Sequence, residues 1–239
     1  MCGRFIQMFD WAEVTDFADL MAAVDARQRP GAGGGEGDDQ EVVQSPMRFA
    51  KVVHLDPRTG QRRVSDMRWG WPDARNPDPR ARPKHMHARA ESIDRLPTFR
   101  DSFALRRGLV FVKSFNVGEE LPSGKIRQWC LTRPAGEPMV LAVIWRECQA
   151  DAGEIIPAYV MVTVAANPLV AAKTDRMPAI LAPDGIALWL GEHGAPLEQV
   201  QAMLKPYAGE LVLTDPTPPK QTRTATDTPF KRQTQNELF

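Results

Sequence analysis

The chain opens Met1-Cys2-Gly3-Arg4-Phe5, and Cys2 is the residue with the most chemistry in it. Cys is small enough for Met1 to be trimmed, which would leave Cys2 as the N-terminus. Its thiol and α-amine would then sit on adjacent carbons. An α-amine has a reference pKa of about 7.7–8.0 and a Cys thiol about 8.5, so both are partly deprotonated near neutrality. The thiolate is the reactive form of the sulfur. An aldehyde meeting such a group forms a Schiff base with the amine, and the thiol then closes the ring to a thiazolidine. Taken alone, a Cys at this position reads more readily as a small buried apolar side chain. Context has to give it a role.

Three further clusters carry candidate chemistry. In Met67-Arg68-Trp69-Gly70-Trp71-Pro72, two indoles lie two residues apart beside a guanidinium. On a strand, residues i and i+2 share a face, so Trp69 and Trp71 with Arg68 would make a stacking platform for unpaired bases if exposed. The other reading is two core tryptophans. His87-Ala88-Arg89-Ala90-Glu91 and Thr174-Asp175-Arg176-Met177-Pro178 each place an Arg in a polar setting, for an anionic ligand or for a structural ion pair. His85-x-His87 with a Cys is a weak metal pattern, because no third and fourth spaced ligand accompanies it. No metal and no cofactor are expected.

These clusters need elements to hold them. Asp10 and Glu13 have the spacing of a capping box. Trp11, Val14, Phe17, Ala18 and Met21 follow at helical spacing, predicting a helix to about Asp25. Residues 28–45 read as a flexible Gly-rich loop. It lacks the Gly-Lys-Ser/Thr ending of a phosphate-cradling loop. Beyond it the pattern is mainly strands: Met47–Leu55, Val64–Trp71, Leu109–Phe115, Gln128–Arg133, Met139–Trp145 and Tyr159–Ala166. Pro134-Ala135-Gly136 suggests a hairpin between the fourth and fifth of these. A second helix is expected from Pro196 through Leu204. No internal repeat is visible. The expected fold is α+β: one domain over residues 1–214 around a twisted, mostly antiparallel, barrel-like sheet with a few flanking helices. Residues 215–239, rich in Pro, Thr and Gln, read as an extended tail.

Composition narrows the setting. The 239 residues are 43% hydrophobic and 25% charged, as in an ordinary globular chain. No apolar run is long enough to span a membrane, and no signal-peptide pattern opens the chain. Three cysteines are too few and too odd for a disulfide framework, which points to a reducing compartment and a cytoplasmic location. Net charge is zero, yet residues 58–107 carry 13 Lys/Arg against 6 Asp/Glu. Nearly all of the 13 are Arg, whose planar fork suits phosphate. A basic segment in a neutral chain fits an anionic partner, or a solvated arginine-rich surface.

Together, the ordered blocks resemble the SOS-response-associated peptidase family of abasic-site-processing proteins. Met1-Cys2-Gly3-Arg4-Phe5 matches the family start, and Arg68-Trp69-Gly70 its tryptophan block. Ala88-Arg89-Ala90-Glu91 matches the next block except at its first residue. Arg106-Arg107-Gly108-Leu109-Val110, Ala166-Asn167-Pro168 and Asp175-Arg176-Met177-Pro178-Ala179-Ile180-Leu181 follow in family order. The resemblance implies binding to single-stranded DNA that contains an abasic site, with Cys2 condensing on the open-chain sugar aldehyde. It also implies autoprocessing peptidase and lyase activities. Arg89 and Arg176, with Arg4 nearby, would contact the DNA, and Trp69 would sit in the DNA-binding block. The chain would act as a monomer.

The departures from the family fall on the acid–base partners. The family Asn is His87, which can hydrogen-bond but also titrates near neutrality. The family Glu aligns with Val117, and a two-residue bulge would be needed to bring Glu119 there. The family His is Thr174, whose hydroxyl is a poor proton shuttle near pH 7. The expectation is that cross-linking survives while strand cleavage and cross-link reversal slow. One alternative is a degenerate member that binds single-stranded DNA, or a protein, without covalent chemistry. Another is an N-terminal nucleophile amidohydrolase, which also begins Met-Cys-Gly. That class needs an Asn-Gly oxyanion segment, and none of Asn76, Asn116, Asn167 and Asn236 precedes a Gly.

Overall fold

The computed structural model describes residues 2–7, 42–73, 82–149, 155–192 and 194–216. Twelve strands form one sheet: β1 (Cys2–Gln7), β2 (Val42–Gln44), β3 (Phe49–Leu55), β4 (Arg62–Trp69), β5 (His87–Arg89), β6 (Arg107–Glu120), β7 (Ile126–Thr132), β8 (Met139–Gln149), β9 (Ile155–Ala165), β10 (Arg176–Pro178), β11 (Ile180–Leu181) and β12 (Val212–Thr214). Five of them close into a barrel in the order β3-β4-β9-β8-β6, with β6 returning to β3. All described pairings are antiparallel except β4 and β5 against β9. The expected mixed domain around a mostly antiparallel, barrel-like sheet is the observed fold.

The sequence explains why the wall closes. β8 reads MVLAVIWRECQ, apolar at nearly every position from Met139 to Trp145 and buried there throughout. A strand apolar on both sides needs cover on both faces. The barrel interior supplies one cover, and the helix Pro97–Leu105, which packs on β6 and β8, supplies part of the other. Gly108 marks the seam, since its two edges pair with His54 of β3 and Val143 of β8. A Cβ there would lie 2.8 Å from a methyl of Val52 and 3.1 Å from the Val53 carbonyl oxygen. Only glycine lets the three strands meet at this spacing.

Several expectations are corrected. Val42–Gln44 is not loop; it pairs with Gln7–Phe5 of β1. No hairpin joins β7 and β8. Both lie along β6, β8 on Arg107–Val112 and β7 on Ser114–Glu120. At 14 residues, β6 is long enough for two partners end to end, and the short turn Pro134–Gly136, with Ala135 at φ 56°, carries the chain between them. The true hairpin is β6 to β7. The helix Leu197–Ala202 forms as expected. Helices Pro97–Leu105, Pro168–Ala171 and Ile186–Leu190 had no legible periodicity, being too short for a 3.6-residue repeat to show. The helix expected over Asp10–Asp25, the Gly-rich stretch 30–39 and residues 217–239 lie outside the described residues. No helix among the described residues is long and apolar enough to cross a membrane.

Candidate functional site

β1 leads into the site. Its ladder on β6 runs Phe5 to Phe115 and Arg4 to Asn116, and then Cys2 falls opposite Val117. Gly3 is an extra residue on β1; in an unbroken ladder Gly3 would fall opposite Val117 and Cys2 opposite Gly118. On the far edge of β6, Val117 pairs with Trp129 of β7. Cys2, Val117 and Trp129 therefore occupy one row across three strands. With neighbouring strands about 4.8 Å apart, the row is about 10 Å long.

The bulge that would have moved Glu119 opposite Cys2 is absent. The β6–β7 ladder is unbroken from Ser114 to Glu120, and Val117 is fully buried in place. Glu119 lies one pleat further along. Its carboxylate accepts from Trp129 Nε1 at 2.7 Å and from Lys173 Nζ at 3.4 Å. The Lys173 ammonium is 4.0 Å from the Trp129 ring centroid, and the Arg127 guanidinium is 5.4 Å from it. The Trp129 hydrogen bond first, then the charges of Lys173 and Arg127, hold the Glu119 carboxyl below its ordinary range.

Lys173 and Thr174 close the helix Pro168–Ala171. Asn167 caps the other end by accepting from the Val170 amide at 3.0 Å, and the amides of Lys173 and Thr174 both donate to the Val170 carbonyl. The Thr174 hydroxyl is 3.4 Å from Asp175 Oδ1. β10 follows and lies against β1 as well as pairing with β9. The late block is thus brought to the strand that begins with Cys2.

The arginines divide into two kinds. Arg176 is buried, and its two Nη atoms donate to the Glu91 carboxylate at 2.7 and 2.8 Å. One of them also donates to the Thr163 carbonyl at 2.7 Å. Arg176 is therefore an internal ion pair first. The pairing with Arg176 is the main cause that holds the Glu91 carboxyl below its usual range. Arg68 is also buried, between Phe49 and Ala158 in the sheet. Arg4 and Arg89 are exposed. Arg89 stands on β5 opposite Thr163, two residues before Glu91.

The exposed tryptophan platform does not exist. Trp69 and Trp71 are both fully buried, with their Nε1 atoms donating to the Met86 and Ala158 carbonyls at 3.1 and 3.0 Å. Gly70, at φ 103°, ends β4 after Trp69, so the two indoles are not successive side chains on one strand face. Trp69 instead lies 5.2 Å from Phe5 of β1 and 6.1 Å from the edge-on His87 ring. It is the shared floor between the N-terminal strand and β5. His85 turns to Phe99 while His87 turns to Trp69. Among the described residues no group of three His, Cys, Asp or Glu could hold a metal ion.

Sequence reasoning missed Lys173, Trp129 and Thr163. None belongs to a motif, and only the β6–β7 hairpin and the β9 register bring them to the site.

The fold is shared with crystal structures of two Bordetella bronchiseptica proteins. One has a TM-score of 0.68 at 24% identity, covering 89% of this chain and 98% of that one. The other, described as phage-related, has a TM-score of 0.62 at 15% identity, covering 89% and 92%. Residues 1–217 match the family described as SOS response associated peptidase (SRAP), and the chain belongs to that family. Among curated proteins it is 26% identical over 207 residues to the abasic site processing protein YoaM of Bacillus subtilis, covering 87% of this chain and 86% of YoaM. It is 25% identical over 146 residues to the abasic site processing protein YoqW of the same organism, an alignment that spans 61% of this chain and 65% of YoqW.

Proposed function

We propose that this chain recognises abasic sites in single-stranded DNA and captures them covalently through Cys2. Removal of Met1 exposes the 1,2-aminothiol. The amine condenses with the sugar aldehyde and expels water, and the thiol adds to the resulting imine carbon to give a thiazolidine. The observation that carries this reading is the convergence of β1 and β10. It brings the strand that begins with Cys2 against the late family block, with Arg4 exposed on β1 itself and Arg89 exposed on β5, which pairs with β9 as β10 does. The names of YoaM and YoqW support abasic sites as the target. In a reducing cytoplasm the thiol would stay free. The protein would act as a monomer and need no cofactor.

His87, Thr174 and Glu119 complete the proposed site, with His87 and Thr174 as hydrogen-bonding groups. Glu119, already bonded to Trp129 and Lys173, is an ionised acceptor near neutrality. Trp69 supports His87 from below, Trp71 and Arg68 support the strand beneath it, and Arg176 orders Glu91 beside Arg89.

A second reading, binding without covalent chemistry, is favoured by one observation: an apolar, buried Val117 stands opposite Cys2. One experiment separates the two. The protein, with Met1 shown absent by mass, is incubated with single-stranded DNA carrying an abasic site and with a reduced analogue lacking the aldehyde. A denaturing gel is expected to show a shifted band with the aldehyde only, and none with Cys2→Ala. A band that persists in Cys2→Ala would falsify the assignment to Cys2. Binding with no band in any lane would leave the non-covalent reading.

A further inference from the structure

Lys173 belongs to no sequence block, yet it reaches across the site. Its backbone follows the helix Pro168–Ala171 and leads into β10, which lies against β1. Its ammonium ends on the β6–β7 hairpin instead, 3.4 Å from Glu119 Oε1 and 4.0 Å from the Trp129 ring centroid. The Lys173 and Glu119 side chains keep only 21% and 23% of their surface exposed, so their charges are screened less than those of a fully exposed pair. Glu119 lies two residues beyond Val117 on β6, and Trp129 pairs with Val117 from β7. Residues two apart on a strand share a face, and so do residues directly opposite across a ladder. The 2.7 Å bond from Trp129 Nε1 to Glu119 Oε2 follows from that placement.

The direction of β1 relates this pair to Cys2. β1 runs antiparallel to β6, and from Phe5 to Cys2 its partners advance from Phe115 to Val117. The backbone nitrogen of Cys2 therefore lies on the Gly118–Glu119 side of its own Cα. Once Met1 is removed, that nitrogen is the α-amine. With strands about 4.8 Å apart and residues about 3.4 Å apart along them, it falls about 7–8 Å from the Glu119 Cα. That is within one Debye length at physiological salt, about 8 Å.

The other charged and titratable groups around this strand end come from every neighbouring element. Arg127 of β7 pairs with Glu119, on the edge of β6 away from β1, and also meets Asp215. Arg176 of β10 is bonded to Glu91, and Asp175 precedes it. His87 stands on β5 and Arg4 on β1 itself. Glu119 is the carboxylate that lies one pleat beyond Cys2 on β6. Unopposed, it would hold the α-amine as an ammonium and raise its pKa above the ordinary 7.7–8.0 or so. An ammonium has no lone pair to add to an aldehyde. Lys173 places the opposite charge on the carboxylate itself and cancels most of that field.

We propose that Lys173 is a positioning residue for capture of the aldehyde: by engaging Glu119 over Trp129, it lets the Cys2 α-ammonium release its proton to solvent near neutral pH, so that the nitrogen lone pair adds to the aldehyde carbon. This rests on the Cys2 reading above. Lys173 acts through Glu119 and forms no bond to the sugar.

The test follows the rate of cross-link formation on an abasic single strand from about pH 6 to pH 9. A second arm uses a Cys2→Ala background with cyanoborohydride, which reduces the imine to a stable amine and so reports the α-amine without the thiol. In both arms Lys173→Ala should move the rising limb up by about one pH unit, a loss of about tenfold at pH 7 that shrinks toward pH 9. Lys173→Arg should keep the wild-type limb. In Lys173→Ala/Glu119→Gln the limb should return toward its wild-type midpoint, because the carboxylate charge is gone. A limb that does not move in Lys173→Ala, a loss of equal size at every pH, or a double variant that stays as displaced as the single one overturns the inference and leaves the Cys2 reading standing. A wild type that forms no cross-link at any pH removes both.

Discussion

Val117 is the residue at which this chain departs most sharply from its expected chemistry. It pairs with Cys2 on one side and Trp129 on the other, and it is fully buried. A carboxylate there would have been the nearest proton acceptor on β6. Glu119 is the acceptor that remains, one pleat away and tied to Trp129 and Lys173. If the slow steps are limited by this change, Val117→Glu should speed cross-link reversal by about tenfold or more, at a cost in thermal stability. Reversal is read by releasing DNA from purified cross-link, and an unchanged rate would count against proton transfer as the missing element. Glu91 makes a prediction of a different kind. It is the half-exposed carboxylate partner of a buried guanidinium, so Glu91→Gln should lower stability near pH 7 by about 0.5–1 kcal/mol after solvent screening. Its carboxyl is held below the ordinary range. The stabilisation is therefore full above the unfolded value of about 4.3 and is lost as pH falls through the lower folded value. The gap between the melting temperatures of wild type and variant should begin to narrow below about pH 4.3 and close only below the lowered folded value. A gap that stays constant to pH 3 would show that the ion pair is not its source.

The elements that decide the site are β6 and the turns that return to it. β6 carries β3 and β8 on its first half, and β1 and β7 further along. Its start is fixed by Arg107, whose guanidinium donates to the carbonyls of Phe103 and Ala104, at the end of the preceding helix, and of Trp189. Gly191 allows this. It closes the helix Ile186–Leu190 at φ 90°, its amide bonding the Ala187 and Leu188 carbonyls. A Cβ on Gly191 would lie 2.5 Å from Arg107 Nη2. Gly191→Ala should therefore destabilise by about 1–3 kcal/mol through backbone strain and this clash. Gly108→Ala should do comparable damage at the barrel seam by forcing Val52 and the Val53 carbonyl away. Urea denaturation of both variants checks this, and wild-type midpoints would mean the seam and the cap yield more easily than their contacts suggest.

Across the whole molecule, protection should follow the sheet. β6 and β9 have partners on both edges for most of their length, whereas among the described residues β12 pairs only with β7 and β2 only with β1. Native-state hydrogen exchange should find its slowest amides in Leu109–Val112 and Tyr159–Val162, and much faster exchange in Val212–Thr214. Uniform protection would argue against a barrel-centred core. The same architecture separates what could be read from the chain alone. The apolar runs of β3, β6, β8 and β9 gave away the strands, and the ordered blocks around Cys2, Arg89 and Arg176 gave away the family, because both are encoded locally. The hairpin expected at Pro134–Gly136 failed because a turn signal marks a change of direction without naming the partner strand. Trp69 and Trp71 looked the same in sequence whether core or platform. Closure of the barrel buried both, leaving Trp69 as a floor and Trp71 beneath the Arg146 guanidinium. Residue types and their order thus determined the groups available, a cysteine at position 2 and its arginines. Only the tertiary pairing decided that Val117 faces Cys2, that Arg176 serves Glu91, and that Lys173 joins Trp129. Those contacts link residues far apart in sequence, and no local pattern records them.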